Sequence, residues 1–204
     1  MTVYRFTQAP MGASCYVIQN GDTDTGILID PCVSPRIVFS QLGHSFRITH
    51  LLITHGHFDH IWMTDEWVEE TGAELIISND DACCLSSAFM NGSSSFYALP
   101  DVVCDSKADT LLSGEEELLL NDISVKVFSA PGHTPGGLLY LIGDHLFSGD
   151  TLFYRNYGRS DLPGGDRELL RETLISMGQF YGKGIYLCPG HGDVCRFDDA
   201  YITM

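Results

Sequence analysis

Thr54-His55-Gly56-His57-Phe58-Asp59-His60 places three histidines and one aspartate within seven residues. An apolar run, Ile48 to Ile53, leads into it and a helix-like segment, Asp59 to Thr71, leads out. The stretch therefore sits on a strand-to-helix turn, where irregular backbone can aim several side chains at one point. Imidazole nitrogens and carboxylate oxygens are ligands for zinc and other divalent transition metals. Gly56, between the first two histidines, is expected to permit an unusual backbone shape.

The surrounding composition narrows what such a cluster can serve. At 204 residues, 44% hydrophobic and 19% charged, the chain reads as one soluble globular domain over 1–204. A formal net charge of -16 argues against nucleic acid, whose backbone calls for a basic footprint, and against anionic membranes. An anionic substrate would need a local positive centre, which bound metal can supply. Met1-Thr2-Val3-Tyr4-Arg5-Phe6 lacks the layout of a secretion signal, and no apolar run approaches the roughly 20 residues that span a bilayer. The seven cysteines (Cys15, Cys32, Cys83, Cys84, Cys104, Cys188 and Cys195) are odd in number and show no Cys-x-x-Cys spacing. They read as reduced thiols of a cytoplasmic protein.

Outward from the opening stretch, Val3–Phe6, Ser14–Ile18 and Gly26–Ile29 read as strands, with a turn at Asn20-Gly21. Ser34-Pro35 starts a helix that Gly43 stops. Ile48–Ile53 and Glu74–Ile77 are strands, the first uninterrupted at its end as if covered on both faces. Asp59–Thr71 and Asn79–Ser87 are read as helices, the second capped by Asn79, and Ala88–Lys107 as an irregular connection. Strands follow at Glu117–Leu120, Ser124–Ser129, Leu138–Ile142, His145–Phe147 and Ile185–Leu187, with a helix over Asp166–Phe180. Strands then helices, twice over, predict two packed sheets with helices outside: an α/β protein built as a four-layer αββα sandwich.

Three further punctuated stretches follow predicted strands: Ala130-Pro131-Gly132-His133-Thr134-Pro135-Gly136-Gly137, Ser148-Gly149-Asp150-Thr151 and Cys188-Pro189-Gly190-His191-Gly192. Each sets a His or Asp beside glycine just past a strand end, and such ends converge on one rim of a sandwich. His44, His50 and His145 lie outside these motifs and read as surface or structural residues.

Together with the heptad, these stretches resemble the metallo-β-lactamase superfamily, and within it the glyoxalase II-like (hydroxyacylglutathione hydrolase-like) branch, over nearly the whole chain. The resemblance implies a first metal site at His55, His57 and His133, a second at Asp59, His60 and His191, and Asp150 bridging the two. Gly158-Arg159-Ser160-Asp161-Leu162-Pro163-Gly164-Gly165-Asp166 also resembles a segment of the small hydrolases of this branch. Arg159 and Asp161 there could brace the ligands or form a loop ion pair, and Phe153, Tyr154 and Tyr157 are candidates to line a pocket. Secreted zinc β-lactamases usually carry Cys where Asp150 stands and no ligand at the position of His60. Ile61-Trp62-Met63 departs from the small glycines frequent in the family, and the C-terminal helical domain that helps full-length glyoxalase II bind glutathione is not expected here.

The implied cofactors are two divalent ions, with zinc expected and iron or manganese accepted by the same ligands. Ions ~3.5–4 Å apart can share a water and bring its pKa to about 7; the resulting bridging hydroxide would attack the carbonyl carbon of a small-molecule thioester, with Asp59 both a ligand and the catalytic residue that orients it. Two other readings stay open. A mononuclear iron persulfide dioxygenase of the same fold would use only His55, His133 and Asp150, and a non-enzymatic metal-binding module would use no water at all.

Overall fold

The computed structural model describes residues 1–201. Its first sheet runs in the order β1 (Thr2–Thr7), β2 (Ser14–Gln19), β3 (Thr25–Ile29), β4 (Arg47–Leu52), β5 (Glu74–Ser78) and β6 (Thr110–Leu112). β1 to β3 pair antiparallel and β3 to β6 parallel. The second sheet comprises β7 (Glu117–Leu120), β8 (Ile123–Ser129), β9 (Leu138–Ile142), β10 (His145–Gly149), β13 (Tyr186–Pro189) and β14 (Cys195–Arg196), in the order β14-β13-β10-β9-β8-β7. A short hairpin, β11 (Leu152–Phe153) and β12 (Asn156–Tyr157), stands apart. Helices α1 (Pro35–Leu42), α2 (Phe58–Ile61) and α3 (Thr64–Thr71) cover the first sheet; α4 (Arg167–Ser176) and α5 (Phe197–Ala200) cover the second.

The layering follows from strand periodicity. In β3, Ile27 and Ile29 point between the sheets, into a core with Tyr16, Val125, Val127, Tyr140 and Phe147. Leu28 points the other way, against Val38, Phe39 and Trp67 of α1 and α3. In β9, Leu138, Tyr140 and Ile142 join the central core while Leu139 meets Leu170 and Leu174 of α4. Strands buried on both faces have no polar side to show, so they read as continuous apolar runs. The result is the αββα sandwich, with three apolar layers separating four of secondary structure.

Three expected helices come out differently. Asp59–Thr71 is broken at Met63, which leaves the helical region (φ -114°, ψ 19°) and donates its N–H to Pro31 O at 2.9 Å. That break drops Trp67 into the core, where its Nε1 donates to Val33 O at 2.8 Å. Asn79–Ser87 holds only a 3₁₀ turn, Ala82–Ser86; Asn79 does not cap it, and its N–H donates to Leu112 O at 2.9 Å instead. Asp166–Phe180 is α-helical to Ser176 and 3₁₀ from Met177. β6, β11, β12, β14 and α5 went unread because two to four residues are too few for a periodic pattern. Among the described residues, no helix is long and apolar enough to cross a membrane.

Candidate metal centre

Each of the four motif stretches leaves the end of a strand. His55 follows β4, His133 follows β8, Asp150 follows β10 and His191 follows β13. β10 and β13 are parallel, and β8 runs the same way because two antiparallel pairings separate it from β10. Their carboxyl ends therefore share a rim. Backbone bonds stitch the two sheets there: Leu138 N–H to Thr54 O at 2.7 Å and Ser14 N–H to Gly190 O at 2.7 Å. Below them the buried hydroxyls of Tyr140 and Tyr16 donate to Ile53 O (2.8 Å) and Pro189 O (2.7 Å).

All seven predicted side chains meet at this rim. Their ligand atoms fall into three groups, each within 4.8 Å: His55, His57 and His133; Asp59, His60 and His191; and His55, His60 and Asp150. His57 Nδ1 lies 2.8 Å from His133 Nε2, and His191 Nε2 lies 3.1 Å from Asp59 Oδ2. Asp150 faces both sides, with Oδ1 3.2 Å from His60 Nε2 and Oδ2 3.7 Å from His133 Nε2 and 3.6 Å from His191 Nε2. Among the described residues, His55 Nε2, His57 Nε2, His60 Nε2 and Asp150 Oδ1 are buried without a hydrogen-bond partner. Buried polar atoms normally find one. Nitrogen and carboxylate donors aimed at one another across such gaps fit cations between them. Gly190 is required here, since a β-carbon would run into Asp150 Oδ1 and His60.

Residues that sequence reading passed over hold the ligands in place. Asp30 lies just past the end of β3. It is buried, and its Oδ1 accepts the Thr54 N–H at 2.7 Å while Oδ2 accepts the Thr54 hydroxyl at 2.7 Å and faces His60 Nδ1 at 2.8 Å. Thr54 Oγ1, its proton committed to Asp30, lies 3.1 Å from His55 Nδ1. His133 Nδ1 sits 2.6 Å from Arg159 O. In His55, His60 and His133 the Nδ1–H is thus engaged, which leaves Nε2 as the atom turned toward the cation positions. Asp81 accepts the N–H of Gly56 (2.8 Å) and of Gly136 (2.7 Å), tying two ligand loops together. Asp30 also takes a left-handed φ of +57°, a conformation that Asp tolerates better than most residues.

Electrostatics agree with this arrangement. Burial, helped by the neighbouring imidazoles, holds His55 well below the usual histidine range and His57 down to about 3; both are neutral donors. Burial opposes charge on His60, but Asp30 and Asp150 outweigh it and raise its pKa well above the usual value. The hydrogen bond to Asp59 raises His191. Burial would raise Asp150 and Asp59, yet the surrounding histidines lower both, keeping them ionised. Two carboxylates thus keep positive charge in a buried polar hollow, the balance expected where cations belong.

The hollow opens into a cleft of about 270 Å³. Of the three aromatic candidates, Phe153 lines it, whereas Tyr154 and Tyr157 are half exposed. The 88–107 connection reaches it through Phe96, whose ring is tilted against Phe58 with centroids 4.9 Å apart. Arg159 and Asp161 form the loop ion pair, at 2.6 and 2.8 Å, so it is the Arg159 carbonyl that braces a ligand histidine. Gly56 is needed for a reason other than backbone freedom: a β-carbon there would overlap Cys84. His50 and His145 pair with Glu74 (3.9 Å) and Asp144 (2.8 Å), and none of His44, His50 and His145 belongs to the cluster. All seven cysteines are unpaired.

A sequence model of the metallo-β-lactamase superfamily matches residues 9–191. The chain is similar to a probable metallo-hydrolase of Bacillus subtilis (strain 168), YqgX, at 32% identity over 144 residues, covering 70% of this chain and 67% of that one. It is 26% identical over 182 residues to the hydroxyacylglutathione hydrolase GloC of Haemophilus influenzae (strain ATCC 51907 / DSM 11121 / KW20 / Rd), covering 88% and 85% of the two chains. Among solved structures, the BLEG-1 B3 metallo-β-lactamase superposes with a TM-score of 0.87 at 28% identity, covering 96% of this chain and 94% of that one. TTHA1623 in a di-iron-bound form gives 0.79 at 26%, covering 95% and 94%. From the family match, the shared fold and the converging histidines and aspartates, this chain belongs to the metallo-β-lactamase superfamily.

Proposed function

We propose that the protein is a binuclear metal-dependent hydrolase of thioesters. The observation that carries this reading is the pairing of two three-residue donor groups, His55-His57-His133 and Asp59-His60-His191, with Asp150 between them. The first group would hold one divalent ion, the second another, and Asp150 both. Zinc suits these donors, and the di-iron form of TTHA1623 supports iron as an alternative.

Bound ions would supply the charge that makes a water nucleophilic near neutral pH and steadies oxygen charge developing at the acyl carbon. The remaining work falls to the chain. Asp30, Thr54 and the Arg159 carbonyl hold three imidazoles in the tautomer that presents Nε2. Asp59, ionised and at the cleft floor, orients the attacking water. Phe58, Phe96 and Phe153 limit access of bulk water from the sides. Unpaired cysteines support a reducing, cytoplasmic setting.

The thioester assignment draws on the hydroxyacylglutathione hydrolase relative and the retention of Asp150. The test is metal analysis of protein purified without added metal, followed by hydrolysis of a thioester panel. About two ions per chain and thioester cleavage, reduced at least 100-fold in both His57→Ala and Asp150→Ala, are expected. One iron per chain with oxygen consumption on a persulfide would instead establish the dioxygenase reading. A β-lactam belongs in the same panel because of the likeness to BLEG-1; its cleavage in preference to every thioester would overturn the assignment.

A further inference from the structure

The walls of the cleft differ in chemistry from its floor. His57, Asp59, His133, Asp150 and His191 form the floor. Above them stand Met11, Phe58, Phe96, Phe153 and Leu162, brought together from three separate connections, the short strand β11 and the short helix α2. Met11, Phe96, Phe153 and Leu162 are each partly exposed, so they are not core residues that happen to edge the opening. Arg159 is the one Lys or Arg among the described lining residues, and its guanidinium is occupied by Asp161 at 2.6 and 2.8 Å. With a chain charge of -16, nothing in the walls offers a free cation to the two carboxylates of a carrier such as glutathione.

We propose that this cleft selects thioesters carrying an uncharged apolar or aryl substituent, rather than glutathione thioesters. The proposal rests on the hydrolase reading above and narrows it. Binding pockets of this kind join apolar walls to a few convergent polar groups. Size agrees: an apolar cavity of about 150 Å³ takes benzene, and about 270 Å³ accommodates a ring or a medium-length chain beside the reacting carbonyl. The apolar substituent can belong to the acyl half or the thiol half, and the two are separable by experiment.

Zinc-loaded full-length protein is assayed on two series, acetyl to octanoyl esters of one small neutral thiol, and acetyl esters of ethanethiol to octanethiol, with S-lactoylglutathione alongside. In one of the series kcat/KM should climb about two- to four-fold per methylene until the cleft is filled, and the best member should exceed S-lactoylglutathione at least ten-fold. Leu162→Asp, at a partly exposed position, should flatten the climb while leaving the melting temperature within a few degrees. Calorimetric titration with acetate and octanoate keeps the cleft testable without turnover, with octanoate expected to bind at least ten-fold tighter. If thioesters are cleaved but both series are flat, or S-lactoylglutathione is preferred, the apolar assignment is overturned and the hydrolase stands. If no thioester is cleaved yet octanoate binds tightly and Leu162→Asp abolishes that, the hydrolase reading fails while the apolar cleft stands. Equal binding of acetate and octanoate, or an unchanged climb in Leu162→Asp, removes the proposal.

Discussion

Asp30 shows how one side chain outside the ligand set governs it. Its carboxylate takes both polar hydrogens of Thr54 and faces His60 Nδ1. Asp30→Asn keeps the shape and the left-handed backbone but turns an amide donor toward at least one of these donors. Partners of metal-bound histidines are typically worth about 10–100-fold in metal affinity. Asp30→Asn should weaken binding at the Asp59-His60-His191 group by that order, read by competition with a chelator; unchanged affinity would show that Asp30 plays no part. Proton linkage gives a second expectation at this scale. His55 and His57 have folded-state pKa values below the ordinary histidine value of 6.5, His57 at about 3, so the unfolded chain binds more protons than the fold between those limits. Stability of metal-free protein should therefore fall as pH drops below 6.5 and continue falling toward 3. His60 and His191 are raised; the stability they contribute is already fully present below the ordinary histidine range and does not offset that loss. Melting temperatures of chelated protein from pH 6 to 4 test the sign, and a rise on acidification over that range would contradict it.

The elements carry the ligands only as well as their ends are fastened. α4 begins at Asp166, whose Oδ1 accepts the N–H of Glu168 (2.8 Å) and Leu169 (3.0 Å). Its own N–H donates to Gly132 O at 2.8 Å, one residue before His133. Asp166→Ala should cost about 0.5–2 kcal/mol, the usual worth of an N-cap, measured by denaturant unfolding of metal-loaded protein; no loss would mean that water replaces the cap. This start was legible because Asp before a helical pattern is a local signal. The break at Met63 was not, since it is made by Pro31 O, thirty-two positions away. The 3₁₀ turn at Ala82–Ser86 misled for a like reason: Asp81, beside it, spends its carboxylate on Gly56 and Gly136, not on a helix start.

At the scale of the molecule, the two sheets hold the rim together from beneath. Tyr140 lies in β9 of one sheet and donates to Ile53 O, just past β4 of the other, two residues before His55. Tyr140→Phe would leave that buried carbonyl unpartnered at a cost of about 1–3 kcal/mol. Because the bond spans the seam under the ligands, the melting temperature should fall and metal should be lost at lower chelator concentration. A fall in stability with unchanged metal affinity would place the seam outside the workings of the site. What the amino-acid order determined by itself was the local: apolar runs that must be strands covered on both faces, glycine and proline that end them, and the His- and Asp-bearing turns that follow. Those depend on neighbours a few residues apart, so pattern and propensity reach them, and the family resemblance those turns carry then implied the seven metal-site candidates. Which turns meet, that the carboxylates of Asp30 and Asp81 brace the ligand loops while that of Asp161 is spent on Arg159, and that Phe96 and Leu162 wall the cleft were decided only by the packing of the sheets. Those contacts join residues from 24 positions apart, as Asp30 and Thr54 are, to 132, as Asp59 and His191 are, and no local signal records which distant strand ends a sandwich brings to one rim.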